Sequence, residues 1–261
     1  MRGWFLACLL AAGAARAEDC PGCNPKKECA AHEEADAKAI KEAQPLLRDR
    51  DLFKRREGIE KLAWAAERHS NVRSKKLTAE MARLLSDPEA GVKTVALEKL
   101  GEFGEESVSI PAIAREIAAR EKDAGNDKPT KEDEIKKWED TMRILEACFA
   151  ALGKTPLNPS AAALLEKGLR HSNSWVVAAA AKSAGSFRKS KLVVKALVDQ
   201  LAKFFASNVT EGNSAAWTAI SVALPLATEC NDIPNQKDQF DAGRWNSDWQ
   251  KWMRANDKTL K

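Results

Sequence analysis

Leu85 to Phe103 reads LSDPEAGVKTVALEKLGEF, and the punctuation of that stretch decides the fold. Asp87-Pro88 is a turn dipeptide, because proline holds the chain out of the helix and Asp bonds to nearby backbone. Behind it Val92, Val95, Ala96 and Leu100 fall on one side of a 3.6-residue period, so an amphipathic helix follows the turn. Gly101 is expected to stop that helix.

Working outward, the design recurs. Leu47, Asp49 and Glu60-Lys61-Leu62 return as Leu85, Asp87 and Glu98-Lys99-Leu100, each displaced by 38 positions. Leu85, Val92, Ala96, Gly101 and Phe103 return as Leu169, Val176, Ala180, Gly185 and Phe187, displaced by 84. A constant offset of this size marks a repeat built from two helices. The fold class expected is all-α, an α-solenoid of four to five helical hairpins.

In the first unit, helix A carries Phe53, Ile59, Leu62, Ala63 and Ala66, and helix B carries Leu77, Met81, Leu84 and Leu85. The second unit has the opening stretch as helix A and a helix B from near Ser107 with Ile110, Ile113 and Ile117 inward. Glu121–Asp133 reads as a charged inter-repeat insertion. The third unit has Trp138, Met142, Leu145, Cys148, Phe149 and Leu152 on helix A, which ends at Gly153. Asn158-Pro159 then opens its helix B, Asn as N-cap and Pro at the first helical position. The fourth unit places helix B at 189–206. A fifth, degenerate unit starts with a helix over 214–228, carrying Trp217, Ile220, Ala223 and Leu224. Trp245, Trp249 and Trp252 share one face of a last helix over 245–255, expected to seal the open end of the array.

The Asp87-Pro88 turn, Val92-Lys93, Ala96-Leu97 and Leu100-Gly101 resemble the HEAT repeat, with weaker echoes at Asp49 with Arg55, Leu152-Gly153 and Ala184-Gly185. The layout is also similar to that of exported bacterial HEAT-repeat proteins. Val177 departs from the pattern, standing where Arg or Lys is usual on helix A. The resemblance implies an α-solenoid serving protein–protein contacts, with the B helices along its concave side. Opposite the apolar stripes of those helices stand Lys76, Arg83, Arg115, Lys167, Lys191, Lys195 and Lys203. They form a basic ridge that would meet acidic groups of a partner protein.

Residues 1–17 read as a signal peptide. Arg2 is its positive start, Trp4–Ala14 its apolar run, and Ala15-Arg16-Ala17 its cleavage signal. The run is well short of the ~20 residues that span a bilayer. The protein is therefore expected to be exported, to the periplasm or outside the cell, with no membrane span. The domains expected are the signal at 1–17, a Cys-containing polar leader at 18–34, the solenoid at 35–240 and the capping helix and tail at 241–261. Loss of Arg2 and Arg16 lowers Lys+Arg from 42 to 40 against 38 Asp+Glu, so the net charge falls from +4 to +2. That balance gives no nucleic-acid signature.

Within the leader, Cys20, Cys23, Cys29 and His32 read C-x2-C-x5-C-x2-H. Four such ligands suit tetrahedral zinc, whereas an oxidising compartment favours disulfides, and a thiol pair can exchange electrons. Metal-binding or thiol-redox use of this leader, docked on the solenoid, is the alternative to a scaffold. Asn24 after Cys23 disfavours a c-type haem. Elsewhere His69 and His171 stand at helix ends, Cys148 falls on an apolar stripe as an inert thiol, and nucleotide-binding and nucleophile-elbow motifs are absent. The reading is thus a non-enzymatic scaffold with no cofactor, binding another protein.

Overall fold

The computed structural model describes residues 30–68, 73–125, 128–207, 210–230 and 242–261. The proposed signal peptide, Cys20, Cys23, Cys29 and His69 lie outside these. Among the described residues the regular structure is entirely helical. The α-helices are α1 (Ala30–Leu47), α2 (Leu52–Arg68), α3 (Lys75–Arg83), α4 (Ala90–Phe103), α5 (Glu106–Asp123), α6 (Glu132–Gly153), α7 (Pro159–Leu169), α8 (Ser174–Ala184), α9 (Lys191–Ala206), α10 (Glu211–Thr228) and α11 (Ala242–Asn256).

Their starts are written in the local sequence. Ser74 accepts from the Leu77 amide, Asn158 from those of Ser160 and Ala161, Asn173 from that of Trp175, and Thr210 from that of Asn213. Each cap satisfies backbone donors that the first helical turn leaves open. In the opening stretch the Asp87 carboxylate accepts from the Glu89 amide at 2.9 Å, so the turn residue itself braces the entry to α4.

The helices stack in two layers. In the first, α2, α4, α6, α8 and α10 each pack on the next; in the second, α3, α5, α7, α9 and α11 do the same. The first-layer helices α2, α4 and α6 are each followed in the chain by a second-layer helix that packs on them, and α9 packs on α7, α10 and α11, so the architecture is a row of helical hairpins, an α-solenoid. Helix α1 lies against α2 and α3 and covers the first hairpin. Between the layers runs one continuous core, from Ile59 and Leu62 through Leu97, Leu100, Leu145 and Phe149 to Ile220 and Trp249, all almost fully buried. Burying a side chain of this size contributes about 1.5–3 kcal/mol, so the array is held mainly by this seam.

Trp245 and Trp249 are buried in that core, and α11 packs on α9, where a second-layer helix of a fifth hairpin belongs. Trp217, Trp245, Trp249 and Trp252 form a chain of tilted and edge-to-face rings with centroids 5.7–6.2 Å apart. The terminal helix therefore covers the second layer. Lys261 is also held, since its amide donates to the Lys189 carbonyl and its carbonyl accepts from the Lys191 amide, each at 2.8 Å.

Several boundaries differ from expectation. α1 begins at Ala30, ahead of the solenoid boundary expected at residue 35, and retains Pro45 inside it. Gly101 does not end α4, which runs to Phe103. A Cβ at Gly101 would stand 2.8 Å from the Cα of Ala151, so this glycine admits α6 close to α4. Phe53, expected in the core, is 69% exposed, because Ile59, Leu62 and Ala63 supply the inward face of α2. The insertion after α5 is shorter than expected, and it folds back: the Asn173 side chain donates to the Gly125 carbonyl, and Lys128 lies 5.7 Å over the Trp138 ring.

Candidate functional site

The ridge residues are all exposed on second-layer helices, as their spacing requires. Four of them, however, already hold carboxylates of this chain. Lys76 pairs with Glu33 of α1 at 3.2 Å, and Arg83 with Glu80 on its own helix at 2.8 Å. Lys167 reaches Glu121 of α5 at 2.9 Å, and Lys191 reaches Asp257 behind α11 at 2.8 Å. Arg170 of the α7–α8 turn adds a link to Asp199 of α9 at 3.0 Å. Much of the ridge is thus a line of ion pairs along the second layer. At these exposures each contributes at most about 1 kcal/mol, but together they hold neighbouring helices in register. The sequence pattern showed the cations; their acids stand 3 to 66 positions away, most on other elements.

Three ridge cations make no ion pair among the described residues. Arg115 directs its Nε toward the Pro111 carbonyl at 3.4 Å, Lys203 sits 5.2 Å over the Phe204 ring, and Lys195 points to solvent.

The second layer also opens where α5 and α7 meet. A groove of about 820 Å³ lies between them, its walls made by Ile110, Pro111 and Ala114 of α5 and Ala163 and Leu164 of α7. Glu105, Glu106 and Asn158 stand at one end, where both helices start, and Lys167 at its rim on the α7 side. The Asn158 amide donates to Glu106 at 2.7 Å, and the Ser107 hydroxyl to Glu105 at 2.5 Å, so the acidic end is ordered. Leu157, directly before the Asn158 cap, is 96% exposed. Small residues at Ala114 and Ala163 are what leave the space, since longer side chains there would fill it. No periodicity argument finds this groove, because its walls come from helices some fifty residues apart in the chain.

A second cavity, of about 520 Å³, is polar and lies between the starts of α4 and α6. Lys93 and Arg120 enter it, both engaged by the buried Glu116 at 3.3 and 3.2 Å, and Asp87 at its edge is held by Arg55. Lys93, Arg120 and Asp87 thus serve to bind helices together, while Asp133, Lys136, Lys137 and Asp140 of α6 line the other side.

The remaining chemistry-bearing residues are separated. The His171 Nδ1 accepts from the Asn173 amide at 3.1 Å, which makes it part of a loop turn. Cys148 is fully buried, and that burial pushes its thiol well above the ordinary range, which disfavours the nucleophilic thiolate. His32 lies on α1, half-buried, and its three companion cysteines fall outside the described residues. Among the described residues there is no group of three or more His, Cys, Asp or Glu side chains placed to hold a metal ion. There is also no helix long and apolar enough to cross a membrane among them.

No protein-family model matches the chain, and no curated protein matches it. Among solved structures, the crystal structure of an engineered protein aligns at 19% identity over 76% of this chain and 85% of its own length, with a TM-score of 0.34.

Proposed function

We propose that this chain is an exported, non-enzymatic HEAT-like scaffold that binds another protein through the groove between α5 and α7. The observation that carries the reading is the apolar groove itself, walled by Ile110, Pro111, Ala114, Ala163 and Leu164. Its shape suits two or three consecutive apolar side chains of an extended or helical segment. Glu105 and Glu106 at the open end favour a ligand segment carrying Lys or Arg there. The pairing of Lys76, Arg83, Lys167 and Lys191 within the chain lowers the demand for an acidic partner and shifts the expected contact to the groove. Arg115, Lys195 and Lys203 remain as cations for a peripheral contact.

Peptide display against the full chain tests this. Segments with clustered apolar residues and a basic flank should be enriched, and Leu164→Glu should abolish the enrichment while far-ultraviolet circular dichroism stays unchanged. Enrichment that ignores Leu164→Glu, or none at all, would remove the groove as the binding site.

A further inference from the structure

The groove between α5 and α7 is walled by one pattern used twice. On α5 it is lined by Ser107, Ile110, Pro111 and Ala114, at positions i, i+3, i+4 and i+7. On α7 it is lined by Ser160, Ala163, Leu164 and Lys167, each displaced by 53 positions from its counterpart. Glu105 and Asn158, the N-cap residues of the two helices, stand 53 apart as well. Two helices running the same way thus offer matched two-turn faces, about 10 Å long at ~1.5 Å per residue. They touch each other only lightly, whereas α7 packs closely on α9.

Such walls select a helix over an extended segment. An extended segment brings backbone donors and acceptors that need partners, and the wall helices spend theirs within their own turns. A helix satisfies its backbone internally and meets the walls with side chains, its ridges entering the notches at Ala114 and Ala163. We infer, on the reading that this groove is the binding site, that its occupant is an amphipathic helix of a partner protein. It lies antiparallel to α5 and α7, with basic residues in its last turn.

Charge fixes that direction. At the end where α5 and α7 start, Glu105 and Glu106 are held by neutral partners, Ser107 and Asn158, rather than by cations. Pro111 has no amide hydrogen, so the Ser107 carbonyl four residues earlier lacks its helical donor and adds an acceptor there. At the far end Lys167 and Glu121 pair at 2.9 Å and cancel. The groove therefore asks for cations at one end only. Cations in the last turn of the ligand stabilise its own helix, and antiparallel seating sets its negative end against the positive starts of α5 and α7. A parallel helix would need those cations in its first turn, where its own dipole opposes them.

Fluorescence anisotropy of the full chain with a labelled helical probe tests this. The probe is an alanine-based peptide of about sixteen residues, locked by a lactam between successive turns. It carries leucines at i, i+3, i+4 and i+7 and two arginines in its last turn. It should bind the wild type. An unlocked twin with a proline at its centre should bind at least ~30-fold more weakly. A locked twin with the arginines in its first turn should bind about 5-fold more weakly. Glu105→Gln with Glu106→Gln should erase the second difference and keep the first. Equal binding of the locked and proline peptides, lost for both in Leu164→Glu, would keep the groove and overturn the helix. Equal binding of the two arginine placements to the wild type would overturn the antiparallel seating. Binding that survives Leu164→Glu would overturn the groove reading and this inference with it, and a locked probe that does not bind overturns the inference alone.

Discussion

Arg55 of α2 grips Asp87 at the head of the next hairpin through two hydrogen bonds, Nε to Oδ2 at 2.7 Å and Nη2 to Oδ1 at 3.0 Å. The same guanidinium donates from Nη1 to the carbonyls of Asp49 and Arg50, at 3.0 and 2.9 Å. Asp49 and Asp87 are corresponding residues 38 positions apart, so one side chain ties two successive inter-hairpin turns together. Both partners are nearly buried, at 11% and 5% exposure, and the Asp87 carboxylate raises the guanidinium above its ordinary value. Desolvating such a pair is costly, so its role is to set the register of neighbouring hairpins more than to add net stability.

Asp87→Ala should therefore be more harmful than loss of one surface contact. It leaves the Arg55 guanidinium facing an empty, mostly dry site and removes the acceptor for the Glu89 amide. A destabilisation of about 3–5 kcal/mol is expected by chemical denaturation. Arg55→Met combined with Asp87→Leu should recover much of the loss. A single-mutant cost under about 1 kcal/mol would mean that water reaches the pair and that it behaves as a surface contact.

Gly91 and Gly101 lie on the same helix and make opposite predictions. A Cβ at Gly91 meets nothing within 4 Å, so Gly91→Ala should gain the usual helix-propensity difference, about 0.5–1 kcal/mol. A Cβ at Gly101 meets the Ala151 backbone at 2.8 and 3.0 Å, and backbone cannot swing aside. Gly101→Ala should thus cost about 1–3 kcal/mol in net stability, overpacking outweighing propensity. Melting temperatures moving in the same direction for both variants would contradict the close approach of α4 and α6.

That pair also shows where the sequence speaks and where it is silent. The hairpin array was legible because offsets of 38 and 84 preserve whole turns with their hydrophobic stripes, from Leu47 to Phe187. Gly101 reads as a stop because a glycine that ends a helix and one that admits a neighbour look alike in sequence. Phe53 reads as inward because it begins an apolar stripe, although inward space is already filled by Ile59 and Leu62. The α5–α7 groove and the ion pairs of Lys76, Lys167 and Lys191 depend on helices meeting across the array, which local periodicity does not contain.

Acid should loosen the α8–α10 corner. The Lys189 ammonium, and then Arg188, hold the Glu229 carboxyl below its ordinary value. A depressed carboxylate contributes stability that is fully present above the ordinary glutamate range and is lost as pH falls through its lowered folded value. Glu229→Gln should accordingly flatten the fall of melting temperature on acidification below about pH 4.5 and change little at neutral pH. An acid limb identical to that of the wild type would show that the contact is broken in solution. Glu229 also holds a left-handed backbone, φ 56°, so glutamine, which keeps the same local preference, is the suitable replacement.

The last prediction concerns the tryptophan helix, and it separates a structural cover from a ligand platform. Trp249 is completely buried and touches both Trp245 and Trp252 edge-on, while Trp252 is only half-buried at the margin. If α11 stands in for the second-layer helix of a fifth hairpin, the cost of truncation should follow burial. Trp249→Ala should cost about 3–5 kcal/mol, because it opens a large cavity against α9. Trp252→Ala should cost clearly less, since solvent already reaches part of the ring and the space left is open to water. Tryptophan fluorescence during denaturation reads both variants, and the Trp249→Ala protein should also lose the cooperative end of its unfolding curve first at the α9–α11 contact, seen as early amide exchange there. Equal, small effects at the two positions would detach α11 from the core and make its aromatic face a surface for ligands instead.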